Sequence, residues 1–183
     1  MDGPRPGRRI CVVGSSGSGK TFVAQALAAR LGLRYVSNDA LIWRADWVEV
    51  PDEERAPAFD AATREDGWTF DGNLGRAPGV HLVLGRCDTL VWLDLPRWQV
   101  MWSVTARTLR RMVTRERLWH GNVERWRMLL SRDSMIFYTW RTYGRRKRQY
   151  EALFASGAGP PAMVRLRSRR EVDRWLASVP RAG

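Results

Sequence analysis

Lysine is nearly missing from this chain of 183 residues: of its 31 basic side chains only Lys20 and Lys147 are lysines, and the others are all arginine. Cysteine is as scarce. Cys11 and Cys87 are too few for a disulfide framework, and their positions in or beside apolar, strand-like segments suit core thiols. The two histidines, His81 and His120, stand at no metal-ligand spacing, and neither cysteine is placed to help, so no zinc site is expected. Long apolar runs are lacking too. The longest apolar region, Val80 to Leu95, is broken by Arg86, Asp88 and Asp94, which excludes a membrane span there. Residues 1–8 are rich in Pro, Gly and Arg and read as a disordered tail. No apolar stretch of signal-peptide type follows them, so a cytoplasmic protein is expected. There is no internal repeat.

What is present suits one compact domain over residues 9–183, since 44% of the residues are hydrophobic and the length supports a sizeable core. The net charge of +12 is concentrated. Arg97 to Tyr150 holds 13 arginines and Lys147 against Glu116, Glu124 and Asp133, and so carries +11 of it. A segment of that kind faces polyphosphate or nucleic acid, or is a solvated helical face.

One of the two lysines sits in Gly14-Ser15-Ser16-Gly17-Ser18-Gly19-Lys20-Thr21, which fits G-x-x-x-x-G-K-[ST]. Each residue type has a mechanical reason. Glycines allow positive φ and close backbone approach, so that successive N–H groups face a nucleotide's phosphates. Lysine reaches the outer phosphates as a compact charge, and the Thr21 hydroxyl is a Mg²⁺ ligand. The flanks agree with the motif. Arg9-Ile10-Cys11-Val12-Val13 reads as a buried strand, and Thr21 to Leu31 has helical apolar spacing through Phe22, Ala26, Leu27, Ala29 and Leu31, closed by Gly32.

Strands are expected at Leu33–Ser37, Gly67–Asp71, Thr89–Asp94 and Ala162–Leu166. Helical patterns cover Asp52–Asp66, with Pro57 as an interruption, then Arg97–Val113, a stretch ending near Ala155, and Ser168–Val179, where Ser168 and Glu171 form a capping box. On the Arg97–Val113 helix Trp98, Met101, Trp102, Thr105, Leu109 and Met112 fall on one face, read as the core face. Trp68 and Trp92 lie in strands and are expected in the core as well. Alternating strands and helices indicate a parallel sheet covered on both sides, with ligands at the carboxyl ends of its strands.

Those ends carry Asp39, Asp71-Gly72-Asn73 and Asp94. Asp39 either orients an attacking acceptor or caps the next helix. Asp71 is the candidate holder of Mg²⁺ through its water shell, with Asp94 as the alternative. Trp43 and Trp47 either stack a flat acceptor or pack an irregular loop onto the sheet. Trp119 and Trp126, interleaved with Arg117, Arg125 and Arg127, have the aromatic-plus-basic pattern of single-stranded nucleic-acid binders, but no helix-turn-helix, zinc-finger or RNA-binding signature accompanies them.

Together GSSGSGKT (14–21), SNDALIWRADW (37–47), WTFDGN (68–73), DTLVWLDLPRW (88–98) and VRLRSRREV (164–172) resemble the nucleoside-monophosphate-kinase group of P-loop kinases. More closely, they resemble adenylate-kinase-like DNA topology modulation proteins. The resemblance spans about residues 9–179. It implies an α/β, three-layer P-loop NTPase fold with a parallel five-stranded sheet, a helical acceptor-binding segment over 40–66 and an Arg-rich lid at about 114–133. It also implies that Asp39, Trp43 and Trp47 line the acceptor side, that Asn73 and Arg76 face the acceptor, and that Asp71 is the strand-end carboxylate. Arg107, Arg110 and Arg111 fall where lid arginines begin, and Arg132, Arg141 and Arg145 would supply the return side. Two departures leave the acceptor open: Leu74-Gly75 follow D-G-N where such relatives have an aromatic residue, and D-G-N-L-G-R is one residue longer than the D-G-F-P-R of adenylate kinases.

The expected activity is transfer of the γ-phosphoryl group of Mg-ATP to a small-molecule acceptor, a nucleoside monophosphate among the candidates. Lys20, Asp39, Arg107 and Arg111 are the expected catalytic residues, and Gly14, Ser15, Ser16, Gly17, Ser18, Gly19, Lys20 and Thr21 the nucleotide-binding ones. The alternative is a nucleotide-regulated nucleic-acid-binding protein, or a polynucleotide-end kinase, using the basic 97–150 segment. A monomer or dimer without membrane attachment fits either reading.

Overall fold

The computed structural model describes residues 5–73, 75, 78–114, 116–122 and 134–181. Five strands form one sheet: β1 (Arg9–Gly14), β2 (Arg34–Ser37), β3 (Trp68–Asp71), β4 (Thr89–Leu93) and β5 (Ala162–Leu166). Their order is β2-β3-β1-β4-β5, and every neighbouring pair is parallel. β3 and β4 are buried at every position and β1 nearly so, as strands covered on both faces must be.

Seven α-helices accompany the strands among the described residues: α1 (Lys20–Leu31), α2 (Asn38–Ile42), α3 (Asp52–Thr63), α4 (Val80–Arg86), α5 (Arg97–Thr114), α6 (Met135–Ser156) and α7 (Arg169–Ser178). The pleat of β1 divides the core in two. Ile10 and Val12 point to one face, where Leu27 of α1 and Trp175 and Leu176 of α7 pack against Val91 and Leu93. Cys11 and Val13 point to the other, with Phe59 of α3, Val83 of α4 and Tyr150 of α6 against Phe70 and Trp92. This is a three-layer α/β fold. Among the described residues no helix is long and apolar enough to cross a membrane.

Several elements differ from the sequence reading. The apolar region Val80–Leu95 is two elements, α4 and β4, joined at Cys87-Asp88. Its apolar density hid the change of period, and only the Asp88 carboxylate, which accepts from the Arg8 and Arg9 N–H groups at 3.0 Å, marks the joint. Those bonds, with one from the Gly7 N–H to Thr89 Oγ1, hold the end of the expected tail against β4. Pro57 lies inside α3, without ending it. The Ser168 hydroxyl caps α7 by accepting from the Glu171 N–H, but the Glu171 carboxylate returns to the Arg167 N–H, one residue earlier than in a reciprocal capping box.

The tryptophans of α5 are the main correction. Trp98 is 70% and Trp102 74% exposed, Leu109 is exposed too, and the helix instead buries Val100, Val104, Thr108 and Met112. The reason is close approach. A Cβ on Gly17 would lie 2.8 Å from the Val100 carbonyl oxygen and 3.1 Å from the Val104 Cβ, so α5 seats its narrow face on the glycine loop. Indole rings do not fit there. On α1, likewise, Phe22 faces out, and Val23, Ala24, Leu27 and Ala28 form the core face.

Burial makes the stability consequence explicit. Trp68→Ala should cost about 3–5 kcal/mol in urea unfolding, whereas Trp98→Ala and Trp102→Ala should each change stability by no more than about 0.5 kcal/mol. Comparable losses at all three positions would contradict this packing.

Candidate active site

The loop from Gly14 to Gly19 links the end of β1 to the start of α1, and its backbone is shaped to hold an anion. Gly17 and Gly19 have φ of 82° and 95°, values that side-chain-bearing residues rarely adopt. Gly19 occupies the N-cap of α1 with no side-chain cap, so the first helical N–H groups keep their donors for a ligand. The Ser18 N–H closes the loop on the Ser15 carbonyl at 3.1 Å.

Lys20 is half-buried, and its Nζ donates to the Ser15 carbonyl at 3.3 Å. Burial lowers its pKa from the ordinary lysine value; the Asp71 and Asp39 carboxylates oppose that shift, and the Arg146 and Arg107 guanidiniums add to it. Five charged groups from five elements, α1, α2, β3, α5 and α6, thus act on one spot. Arg107 of α5 crosses to the loop, where its Nη2 donates to Ser16 Oγ at 3.1 Å.

Parallel pairing puts Val12 of β1 beside Asp71 and Gly14 beside Leu93, so the tips of β3 and β4 flank the loop. At β3, Asp71 Oδ2 accepts the Thr21 hydroxyl at 2.6 Å and the Tyr35 hydroxyl at 3.1 Å. Burial and the neighbouring Asp71 carboxylate raise the Tyr35 pKa, keeping that hydroxyl a donor. At β4, Asp94 is committed elsewhere. It pairs with Arg165 at 2.6 Å and Lys147 at 3.7 Å, and the Arg165 guanidinium lies 4.3 Å from the centre of the Trp92 ring. Of the two carboxylates, Asp71 therefore touches the loop threonine, while two cations hold Asp94.

Asp39 is the second residue of α2, in its first turn, with its oxygen Oδ1 accepting from Asn38 Nδ2 at 3.2 Å. It is not the helix cap: Ser37 is, accepting from the Ala40 N–H at 3.4 Å. Trp43 and Trp47 follow as an edge-to-face pair with ring centres 5.9 Å apart. Asn73 is used for the frame, since its Oδ1 accepts the Gly14 N–H and the Tyr150 hydroxyl, both at 3.1 Å. Arg111 lies with its Nε 3.7 Å from Glu116, directed toward the 116–122 turn. Arg76, Trp126, Arg125, Arg127, Arg132 and most of the expected lid lie outside the described residues. Arg141 and Arg145 are exposed, and the α6 arginine beside Lys20 is Arg146.

The sequence reading missed Tyr35, Arg146 and Asn122. Arg146 belongs to the run Arg145-Arg146-Lys147-Arg148, where only the rotation of α6 selects the inward residue. Asn122 is buried and clasps the turn after α2: its Oδ1 accepts the Trp47 N–H at 3.0 Å and its Nδ2 donates to the Arg44 carbonyl at 2.8 Å. The His120 ring nitrogen approaches the Ala40 carbonyl at 3.3 Å in the same contact.

Two solved structures share this fold. A shikimate kinase from Acinetobacter baumannii in complex with shikimate aligns over 93% of this chain and 90% of its own, with a TM-score of 0.57 and 15% identity. A deoxyadenosine kinase from M. mycoides, with dCMP and dCDP bound as products, aligns over 92% and 94%, with a TM-score of 0.52 and 11% identity. No family model matches the sequence, and no curated protein sequence matches it. The chain has the fold of the P-loop kinases, with the loop, the Thr21–Asp71 contact and the converging cations at the carboxyl edge of its sheet.

Removing the clasp tests the docked turns. Asn122→Ala leaves the Trp47 N–H and the Arg44 carbonyl without their partner and should weaken the contact by about 1–3 kcal/mol. The expected readout is hydrogen exchange at residues 43–48 faster by roughly 5- to 150-fold, with the core strands unchanged; unaltered exchange would show that Asn122 does not hold the turn.

Proposed function

We propose that this protein is an ATP-dependent phosphotransferase of the P-loop kinase type. The observation that carries the proposal is the Thr21 hydroxyl held at 2.6 Å on the Asp71 carboxylate, beside Lys20 and at the mouth of an uncapped helix. In this reading the ATP phosphates lie in the loop 14–21. A cleft of about 480 Å³ lined by Trp102, Ser103, Ala106, Arg107, Arg110 and Arg169 opens next to it, and would take the rest of the nucleotide.

Hard oxygen donors are the donor set that Mg²⁺ prefers, and Thr21 with Asp71 fits it: the hydroxyl would bind the ion and the carboxylate its water shell. The ion would neutralise charge on the outer phosphates. Lys20 and Arg107, joined by Arg146, face the oxygens on which charge accumulates, and each acts without reorganising at the moment of reaction. Asp39 orients the acceptor from the opposite side. With a hydroxyl acceptor it also takes the proton, as the acceptor oxygen bonds to the γ-phosphorus and the bond to the β–γ bridging oxygen breaks. Trp43 and Trp47 form the acceptor wall, with Arg76 as a further acceptor residue; Asn73 supports that side through the frame it holds.

The acceptor is a small molecule bearing a hydroxyl or phosphate. A nucleoside monophosphate fits the resemblance to adenylate-kinase-like proteins and a wall of two indole rings, and it heads the panel to be tested. ADP release should be measured across nucleotides, sugars and other hydroxyl compounds. Lys20→Ala should stay folded and lose turnover by about 10²- to 10³-fold. Asp39→Asn should lower turnover without lowering thermal stability, since Ser37 caps α2. Turnover retained by Lys20→Ala, or ATP binding with no ADP formed from any acceptor, would sink the proposal.

A further inference from the structure

The phosphotransferase reading leaves the outward side of α6 without a task. Arg141, Arg145 and Arg148 recur there at helical spacing, all exposed, and none has a carboxylate partner among the described residues. Some exposed arginines elsewhere find carboxylates, as Arg44 pairs with Glu54, Arg64 with Asp60 and Arg110 with Glu116, while Arg170 and Arg174 have no such ion pair among the described residues. The same helix exposes aromatic rings in its first two turns. Phe137 is 41% and Trp140 53% exposed, and Arg141 lies 5.6 Å from the Phe137 ring centre. Trp140 is fixed in place by Arg97, whose guanidinium lies 3.5 Å from its ring centre and donates to its backbone carbonyl at 3.0 Å.

A merely solvated face has no use for aromatic rings beside its cations, and this one exposes Phe137 and Trp140 along with its three arginines. Three uncompensated guanidiniums in a row call for a partner with repeated anionic groups. Flat rings beside them, one held rigid, call for a partner with flat apolar faces between those anions. We infer that the outward face of α6 binds single-stranded nucleic acid, with phosphates on Arg141, Arg145 and Arg148 and bases stacked on Phe137 and Trp140. A duplex offers the phosphates without free base faces, and an acidic peptide offers the charges without the flat rings, so both are poorer fits. The inference does not depend on phosphoryl transfer.

The probe is a fluorescein-labelled dT20 strand, with anisotropy read on the full chain between about 50 and 200 mM salt, where phosphate contacts change affinity most visibly. The strand should bind more tightly than a duplex of equal length. Arg145→Gln with Arg148→Gln should weaken binding and reduce the slope of log K against log salt by about 1.4, or roughly 0.7 for each lost phosphate contact. Arg170→Gln with Arg174→Gln removes the same charge from α7 and should leave the slope unchanged. Trp140→Ala should weaken binding roughly 5- to 150-fold, and Phe137→Ala serves the same purpose if circular dichroism shows that the first variant has unfolded. Lys20→Ala should bind the strand like the original protein, which separates this surface from the nucleotide site.

The inference is overturned by absence of strand binding at 50 mM salt, by equal losses in the two arginine pairs, or by indifference to both aromatic variants. It is also overturned if the face instead serves a dimer that Phe137→Ala dissociates in sedimentation, or binds phosphatidylserine vesicles but not the strand.

Discussion

The position of β1 between β3 and β4 is the constraint from which the rest of the site follows. Parallel pairing on both sides aligns three strand ends at one edge, and the register sets Val12 against Asp71 and Gly14 against Leu93. The loop leaving β1 must then run between the two tips before α1 turns back over the sheet. Thr21, in the first turn of α1, meets Asp71 because that return path passes the end of β3. α5, leaving β4, must pack on the loop, and the Val100 carbonyl sits where a Gly17 side chain would be. That contact dictates the narrow face of α5, which in turn puts Arg107 over Ser16 and leaves Trp98 and Trp102 outside.

Two aspartates at neighbouring strand ends show how surroundings divide one chemistry into two roles. Asp71 receives two hydroxyls and, among the described residues, no cation at hydrogen-bond range, so in the proposed reading its carboxylate would be available to a metal's water shell. Asp94 receives Arg165 and Lys147, and Glu151 binds the same guanidinium at 3.3 Å. The second lysine of the chain therefore fastens α6 to the tip of β4. Arg146 is the adjacent residue on that helix, so the ion-pair cluster also sets where its guanidinium stands relative to Lys20.

The loop 14–21 and its flanks were legible in the sequence because each of their residues is constrained by local backbone chemistry. Glycines at 14, 17 and 19, the lysine and threonine, and the strand and helix around them all point to one conformation. The rest depended on packing that no local pattern carries. The apolar spacing of α5 fitted two faces, and only the loop's need for a thin neighbour chose between them. α4 was hidden in an apolar run that suits helix and strand equally. Ser37, not Asp39, proved to be the cap of α2, a choice between near neighbours that the local pattern left open. Asn73, read as facing the acceptor, has its carbonyl oxygen taken by Gly14 and Tyr150, a long-range tie with no sequence signature.

The turns at 43–48 and 116–122 carry strain where the loop 14–21 has glycine. Asp46, Trp47 and His120 are the non-glycine residues with positive φ among the described residues, at 56°, 58° and 56°, and all three lie in the two turns that Asn122 joins. Left-handed conformations at such residues cost about 1 kcal/mol each, and more at tryptophan than at aspartate or histidine. The two Asn122 bonds and the His120–Ala40 contact contribute about 1 kcal/mol apiece and so offset that strain. Neither turn would hold its shape in isolation. Each is stable only while the other is in place, so the 43–48 and 116–122 turns form and dissolve as one unit, and Trp47 takes its left-handed conformation because Asn122 holds its N–H.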